Sequence, residues 1–143
     1  MKKILMILMC AFTLSACGAS GKGGAIEYVS IDAVIEKLNQ KESFILLVSK
    51  ESCTHCKDLE AMLDKTLDEH DITIYNIKLN ESSEDAYDAD ISKLEEYLDK
   101  PGRTPHTYYI DKGVVIDEYV GYSEGQDKEY WNWVKQSGLE NIQ

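Results

Sequence analysis

Phe44-Ile-Leu-Leu-Val-Ser-Lys-Glu-Ser-Cys-Thr-His-Cys-Lys-Asp58 opens as an unbroken apolar run and ends on two cysteines spaced two residues apart. Phe44 to Val48 is rich in branched side chains, and a strand with both faces covered reads this way. That places it centrally in an α/β sheet. After the cysteines, Leu59, Met62, Leu63 and Leu67 recur at helical spacing. Cys53 and Cys56 therefore stand where a buried strand hands over to a helix. Such a pair could hold a metal, staple a fold or carry electrons.

Working outward, Ile26 to Val29 reads as a short strand, and Ser30 caps a helix bearing Ile31, Val34, Ile35 and Leu38 on one face. Ile72, Ile74, Ile77 and Leu79 predict another strand. Glu81, Glu84, Asp85, Asp88 and Asp90 lack the spacing and the glycine of a calcium loop, so they read as a solvated loop. Ile91, Leu94 and Leu98 predict a helix closed by Lys100-Pro101-Gly102. Thr107 to Ile110 and Val114 to Val120 form a hairpin through Asp111-Lys-Gly113. Ser123 and Gln126 suggest a capping box for a last helix carrying Tyr130, Trp131 and Val134. No internal repeat appears. The order is βαβ followed by an antiparallel pair, an α/β fold with a central mixed sheet flanked by helices.

The chain start, Met1-Lys-Lys, is positive, and Ile4 to Leu14 is apolar but too short to span a bilayer as a helix. Leu14-Ser15-Ala16-Cys17 resembles the lipobox of bacterial lipoprotein signal peptides. That resemblance implies a signal peptide over 1–16, lipidation of Cys17, and a flexible tether over 17–25 ahead of a domain at 26–143. An ordinary secretory peptide cut after Ala16 is the alternative. In either case Cys10 leaves with the peptide. On the lipoprotein reading Cys17 is occupied as well, and Cys53 and Cys56 alone remain for chemistry, in an oxidising compartment. Lys2 and Lys3 fall in the leader, so of 15 basic and 26 acidic residues the mature chain keeps 13 and 26. Its formal charge of −13 argues against nucleic acid and against electrostatic docking on anionic lipid. The lipid, then, holds it on the extracytoplasmic face of the cell membrane.

The element order with a Cys-x-x-Cys pair at the end of a central strand resembles the thioredoxin fold over nearly all of residues 26–140. Two motifs carry the resemblance. The first is Cys53-Thr-His-Cys56, which implies a thiol–disulfide oxidoreductase whose redox group is its own disulfide, with no other cofactor. Unpaired N–H groups and the helix dipole at a helix start favour a thiolate at Cys53. An ordinary thiol, with a pKa near 8.5, is only about 3% thiolate at neutral pH. Cys56, a turn further in, is the resolving thiol. Thr54-His55 resembles the strongly oxidising branch of the family more than thioredoxin's Gly-Pro, which implies that His55 favours the reduced enzyme. The family span to that branch is about 150 mV. The alternative is an exposed loop histidine with no electronic role.

The second motif is Thr104-Pro105, just before the Thr107 strand. In the family a cis-proline there faces the dithiol, and the preceding residue offers backbone hydrogen bonds to an extended substrate. Two positions depart from the family: Ser52 stands where tryptophan is usual, and Leu47 where a buried carboxylate assists the resolving thiol. Proton transfer at Cys56 would then use water or a surface group such as Glu51. The implied partners are protein thiols or disulfides and a redox recycling partner. Gram-positive thioredoxin-like lipoproteins, including bacteriocin-transport accessory proteins, are the relatives suggested. A different reading brings Cys53, Cys56 and His106 together around copper or zinc for metal delivery. Against it, a structural zinc site normally takes four ligands.

Overall fold

The computed structural model describes residues 23–138. The expected signal peptide, Cys17 and most of the tether lie outside the described residues. Among the described residues, five strands and four α-helices follow in the order β1 (Ala25–Tyr28), α1 (Ile31–Asn39), β2 (Phe44–Ser49), α2 (Thr54–Thr66), β3 (Thr73–Lys78), α3 (Glu84–Leu94), β4 (His106–Asp111), β5 (Val114–Val120) and α4 (Asp127–Gln136). The sheet order is β1-β3-β2-β4-β5. β1, β3 and β2 run parallel, while β4 pairs antiparallel with β2 and β5 antiparallel with β4.

The central run behaves as its composition demands. All six residues of β2 are buried. Their side chains alternate between two cores. Ile45 and Leu47 join Leu59 and Leu63 of α2 and Tyr130 and Val134 of α4. Phe44, Leu46 and Val48 join Val34 and Leu38 of α1 and Leu94 of α3. Each fully buried aliphatic side chain here contributes about 2 kcal/mol by leaving water. The sheet is therefore covered on both faces, α2 and α4 on one, α1 and α3 on the other.

The helix starts follow local chemistry. Ala33 N–H donates to Ser30 Oγ at 3.2 Å, which caps α1. The acidic stretch is a correction to the expected solvated loop, because α3 already begins at Glu84. Ser83 caps it by accepting from Ala86 N–H, and Glu84 and Asp85 sit at the positive end of its dipole. Tyr87, Ile91 and Leu94 supply its apolar face. The helix ends at Leu94, earlier than the periodicity suggested. Leu98 is still buried, because backbone bonds from Tyr97 and Leu98 to the Leu94 carbonyl curl the chain back into the core.

At α4 only half the expected capping box exists. Ser123 N–H donates to Gln126 Oε1 at 2.7 Å, but Gln126 is itself the residue flanking the helix. The β4–β5 hairpin turns on Lys112 and Gly113, whose φ values of 50° and 78° are those of a left-handed two-residue turn. Gly113 has no alternative: a Cβ there would lie 2.3 Å from the Leu38 carbonyl oxygen. Gly24 already belongs to the folded unit, its N–H bonded to the Leu67 carbonyl at 2.9 Å.

Candidate active site

Cys53 is the residue that caps α2. Its backbone is extended (φ −88°, ψ 111°), and its Sγ accepts a hydrogen bond from Cys56 N–H at 3.1 Å. The sulfur therefore occupies the position an N-cap oxygen normally takes, among the unpaired N–H groups of the first turn. Cys53 and Cys56 form a disulfide with Cα atoms 5.2 Å apart. Cys53 is partly exposed and Cys56 fully buried. Of the two sulfur-bearing residues, Cys53 is therefore the one open to solvent.

Thr104-Pro105 is cis and lies against this pair. The Thr104 carbonyl oxygen is 3.6 Å from Cys53 Sγ. While the disulfide is closed that contact carries no proton; a reduced Cys53 thiol would have an acceptor waiting. The Pro105 carbonyl in turn accepts from Gly121 N–H at 2.8 Å, which ties the segment to the end of β5. His55 sits in the first turn of α2 with its side chain exposed. It is a helix residue, not a loop residue.

The loop before the cysteines is fixed from across the site. Ser52 donates both its N–H, at 3.0 Å, and its hydroxyl to the Glu81 carboxylate. Those bonds hold the Glu81 carboxyl below the usual carboxylate range. Ser52, where tryptophan was the family expectation, is thus an anchor for the loop.

Behind Cys56 lies a polar chain that the sequence reading missed. Glu60 follows Cys56 by one helical turn and is 15% exposed. Lys78 Nζ donates to its two oxygens at 2.6 and 2.9 Å, and Asn76 Nδ2 donates at 3.1 Å. Asn76 Oδ1 accepts from the Ser49 hydroxyl at 2.8 Å, and both Asn76 and Ser49 are fully buried. Burial lowers the Lys78 pKa, but the hydrogen bond and charge of Glu60 outweigh it, so the ammonium titrates above an ordinary lysine. Glu51 is a surface group, 74% exposed and 3.5 Å from Lys78 Nζ. Glu60 is a largely buried carboxylate a turn beyond Cys56 on the same helix face. That spacing was the available signal.

His106 does not join the dithiol. It lies on the sheet face opposite α2, 1% exposed, stacked on Tyr108 with ring centroids 3.9 Å apart. Its Nε2 is 3.0 Å from Glu118 Oε2, and its Nδ1 is 2.7 Å from the Tyr108 hydroxyl and 3.2 Å from the Lys100 carbonyl. Strand alternation sends residue 106 away from the face that carries α2. The metal reading loses its third ligand, and among the described residues no group of three His, Cys, Asp or Glu side chains is placed to hold a metal.

A mixed sheet, a disulfide at the junction of its central strand with a helix, and a facing cis-proline define the thioredoxin fold. No family model and no curated protein matches the sequence. Solved structures match its fold. Thioredoxin O2 from Arabidopsis thaliana in its oxidised state is similar with a TM-score of 0.55 and 15% identity over 78% of this chain and 92% of that one. Thioredoxin from Aeropyrum pernix gives 0.52 and 22% over 75% and 85%. Spinach chloroplast thioredoxin F gives 0.55 and 16% over 80% and 96%. The likeness establishes the fold; activity must be argued from the site.

Proposed function

We propose that this protein is a thiol–disulfide oxidoreductase that exchanges disulfides with protein substrates through Cys53 and Cys56. One observation carries the reading: Cys53 Sγ caps α2 and faces the Thr104 carbonyl beside a cis-proline. In the oxidising direction a substrate thiolate attacks Cys53 Sγ, the Cys53–Cys56 bond breaks, and Cys56 leaves as a thiolate that takes up a proton. A second substrate thiolate then attacks the mixed disulfide at the substrate sulfur and releases Cys53. The substrate dithiol is oxidised to a disulfide, and the enzyme leaves as the dithiol. A helix-capping thiolate stabilises that reduced enzyme, and exposed His55 beside the same helix start adds to it when protonated. This supports a place on the oxidising side of the family, with a recycling partner to restore the disulfide.

The leader-like segment ending in Cys17 supports attachment by lipid to the outer face of the membrane, as in Gram-positive thioredoxin-like lipoproteins of the bacteriocin-transport accessory kind. The test is a reduction potential measured together with the Cys53 pKa. A value well above thioredoxin's, about −270 mV, with a depressed thiol pKa is expected. A thioredoxin-like potential with a Cys53 pKa near 8.5 would defeat the oxidising assignment. Membrane fractionation of a Cys17→Ala variant tests the anchor, and release into the soluble fraction is expected.

A further inference from the structure

His106 stands directly after Pro105, is buried, and has no part in the exchange steps above. The hydrogen-bond inventory around its ring fixes where its protons lie. The Tyr108 hydroxyl is 2.7 Å from the Asp99 carbonyl oxygen, which can only accept, so the one phenolic proton goes there. The phenolic oxygen must then accept from His106 Nδ1, and the Lys100 carbonyl at 3.2 Å demands the same proton. Nδ1 therefore carries a hydrogen. Nε2 in a neutral ring is left with a lone pair, 3.0 Å from a carboxylate oxygen of Glu118 that also only accepts. Two acceptors do not bind each other. The contact is satisfied only when a second proton sits between Nε2 and Oε2.

We propose that His106 is a positioning residue for exchange at Cys53, a latch that closes when it shares a proton with Glu118 and then holds the Thr104-Pro105 segment against the dithiol. This rests on the exchange reading above. The closed latch ties three pieces together: β5 through Glu118, the turn after α3 through the Asp99 and Lys100 carbonyls, and β4 through Tyr108. Arg103 N–H also donates to the Lys100 carbonyl, at 3.1 Å, so the same turn anchors the run that leads to Thr104. The charged and titratable groups facing the ring are Glu118, the Tyr108 hydroxyl and the Arg103 guanidinium. Val48, Leu94 and Leu98, packed in the cluster with Tyr108, bring no charge. Burial pushes the His106 pKa down, against the pull of the Lys100 carbonyl and Glu118. The latch accordingly closes on the acid side of an ordinary histidine.

The test combines ring NMR with kinetics. The rate constant for reduction of the oxidised protein by dithiothreitol, corrected for the thiolate fraction, is followed from acid to mildly alkaline pH. It is expected to fall about tenfold, the scale of one lost positioning hydrogen bond, with a midpoint at the His106 titration read from 15N shifts. Glu118→Gln is the decisive variant, because a side-chain amide can donate to the neutral Nε2. It should keep the fast acid plateau at every pH, while Glu118→Ala should stay slow throughout. A proton on Nε2 instead of Nδ1 in the neutral ring, or an unchanged pH step in Glu118→Gln, would overturn the proposal. A protein inert to the dithiol at all pH values would overturn the exchange reading and this role with it. That outcome is distinguishable, since NMR reads the ring proton independently of turnover.

Discussion

Two polar clusters, each running from a buried core to a more exposed charge, flank the sheet at its active edge, one on each face, and they hold charge differently. On the α2 side, Ser49, Asn76, Glu60 and Lys78 form a chain in which every group has a partner and the ions neutralise each other. On the α1–α3 side, Tyr108, His106 and Glu118 form a chain that is one proton short whenever the imidazole is neutral. The first stands behind the resolving thiol, the second behind the cis-proline. A fixed ion pair gives Cys56 a constant electrostatic background near neutral pH; a titrating pair gives Pro105 a variable one. The fold thus separates what must stay constant from what responds to acidity.

The bluntest way to break this contrast is to remove the reacting atom. Cys53→Ser should abolish exchange with dithiothreitol at every pH, so that neither cluster has any kinetic readout left. A mixed disulfide formed above background between that variant's remaining Cys56 thiol and oxidised glutathione, with release of one reduced glutathione, would mean that the buried sulfur exchanges directly and that Cys53 does not gate the site.

The next largest effect concerns the fixed pair. Lys78→Met leaves the Glu60 carboxylate, 15% exposed, with Asn76 as its remaining donor. Breaking such a pair, discounted for solvent access, should cost about 2 kcal/mol in urea unfolding at neutral pH. Its pH dependence has a definite sign. The Lys78 pKa is raised in the fold, so its contribution is fully present below the unfolded lysine value and is lost as pH rises through the folded one. Wild type should therefore weaken in strong alkali relative to Lys78→Met. Parallel stability curves there would show that the pair contributes nothing.

How much of this was legible beforehand follows from what kind of signal each element carries. β2 and the dithiol were readable because continuous burial and helix-start chemistry are local properties of adjacent residues. The hairpin was readable because Lys112-Gly113 alone fits its turn. The acidic start of α3 was not, because net charge masked a good cap at Ser83 and an apolar face at Tyr87, Ile91 and Leu94. His106 was left just outside its strand and expected to converge on the dithiol, since proximity to Pro105 says nothing about the parity of strand side chains; it opens β4 and points to the other face. The Glu60 chain joins α2 to β3 and β2 across 18 and 27 residues of sequence. Pairings at that range become visible only once the sheet register is known.

A smaller perturbation sharpens the description of the fixed chain. Ser49→Ala removes the donor to Asn76 Oδ1 and leaves that buried oxygen without its hydroxyl partner. The expected loss is about 1 kcal/mol in urea unfolding, with little change in slope. A neutral result would mean that water replaces the hydroxyl, and that the chain from β2 to Glu60 is looser than its 2.8 Å bond implies.

The smallest effect is the most diagnostic, because it compares the clusters through pH alone. Glu118 is 43% exposed, so at pH 8, with His106 neutral, Glu118→Gln should change stability by no more than about 0.5 kcal/mol. On acidification the two proteins should part. The His106 pKa is lowered in the fold, so the unfolded chain takes up the proton first, and stability falls as pH drops from the unfolded histidine value through the folded one. In wild type the Glu118 carboxylate opposes that loss by binding the imidazolium. The amide variant has no such charge, its folded pKa lies lower still, and its stability should fall further, by about 0.5 kcal/mol or slightly more at pH 5. Identical acid limbs for the two proteins would mean that Glu118 does not meet the imidazolium, and the contrast between a constant and a titrating cluster would be lost with it.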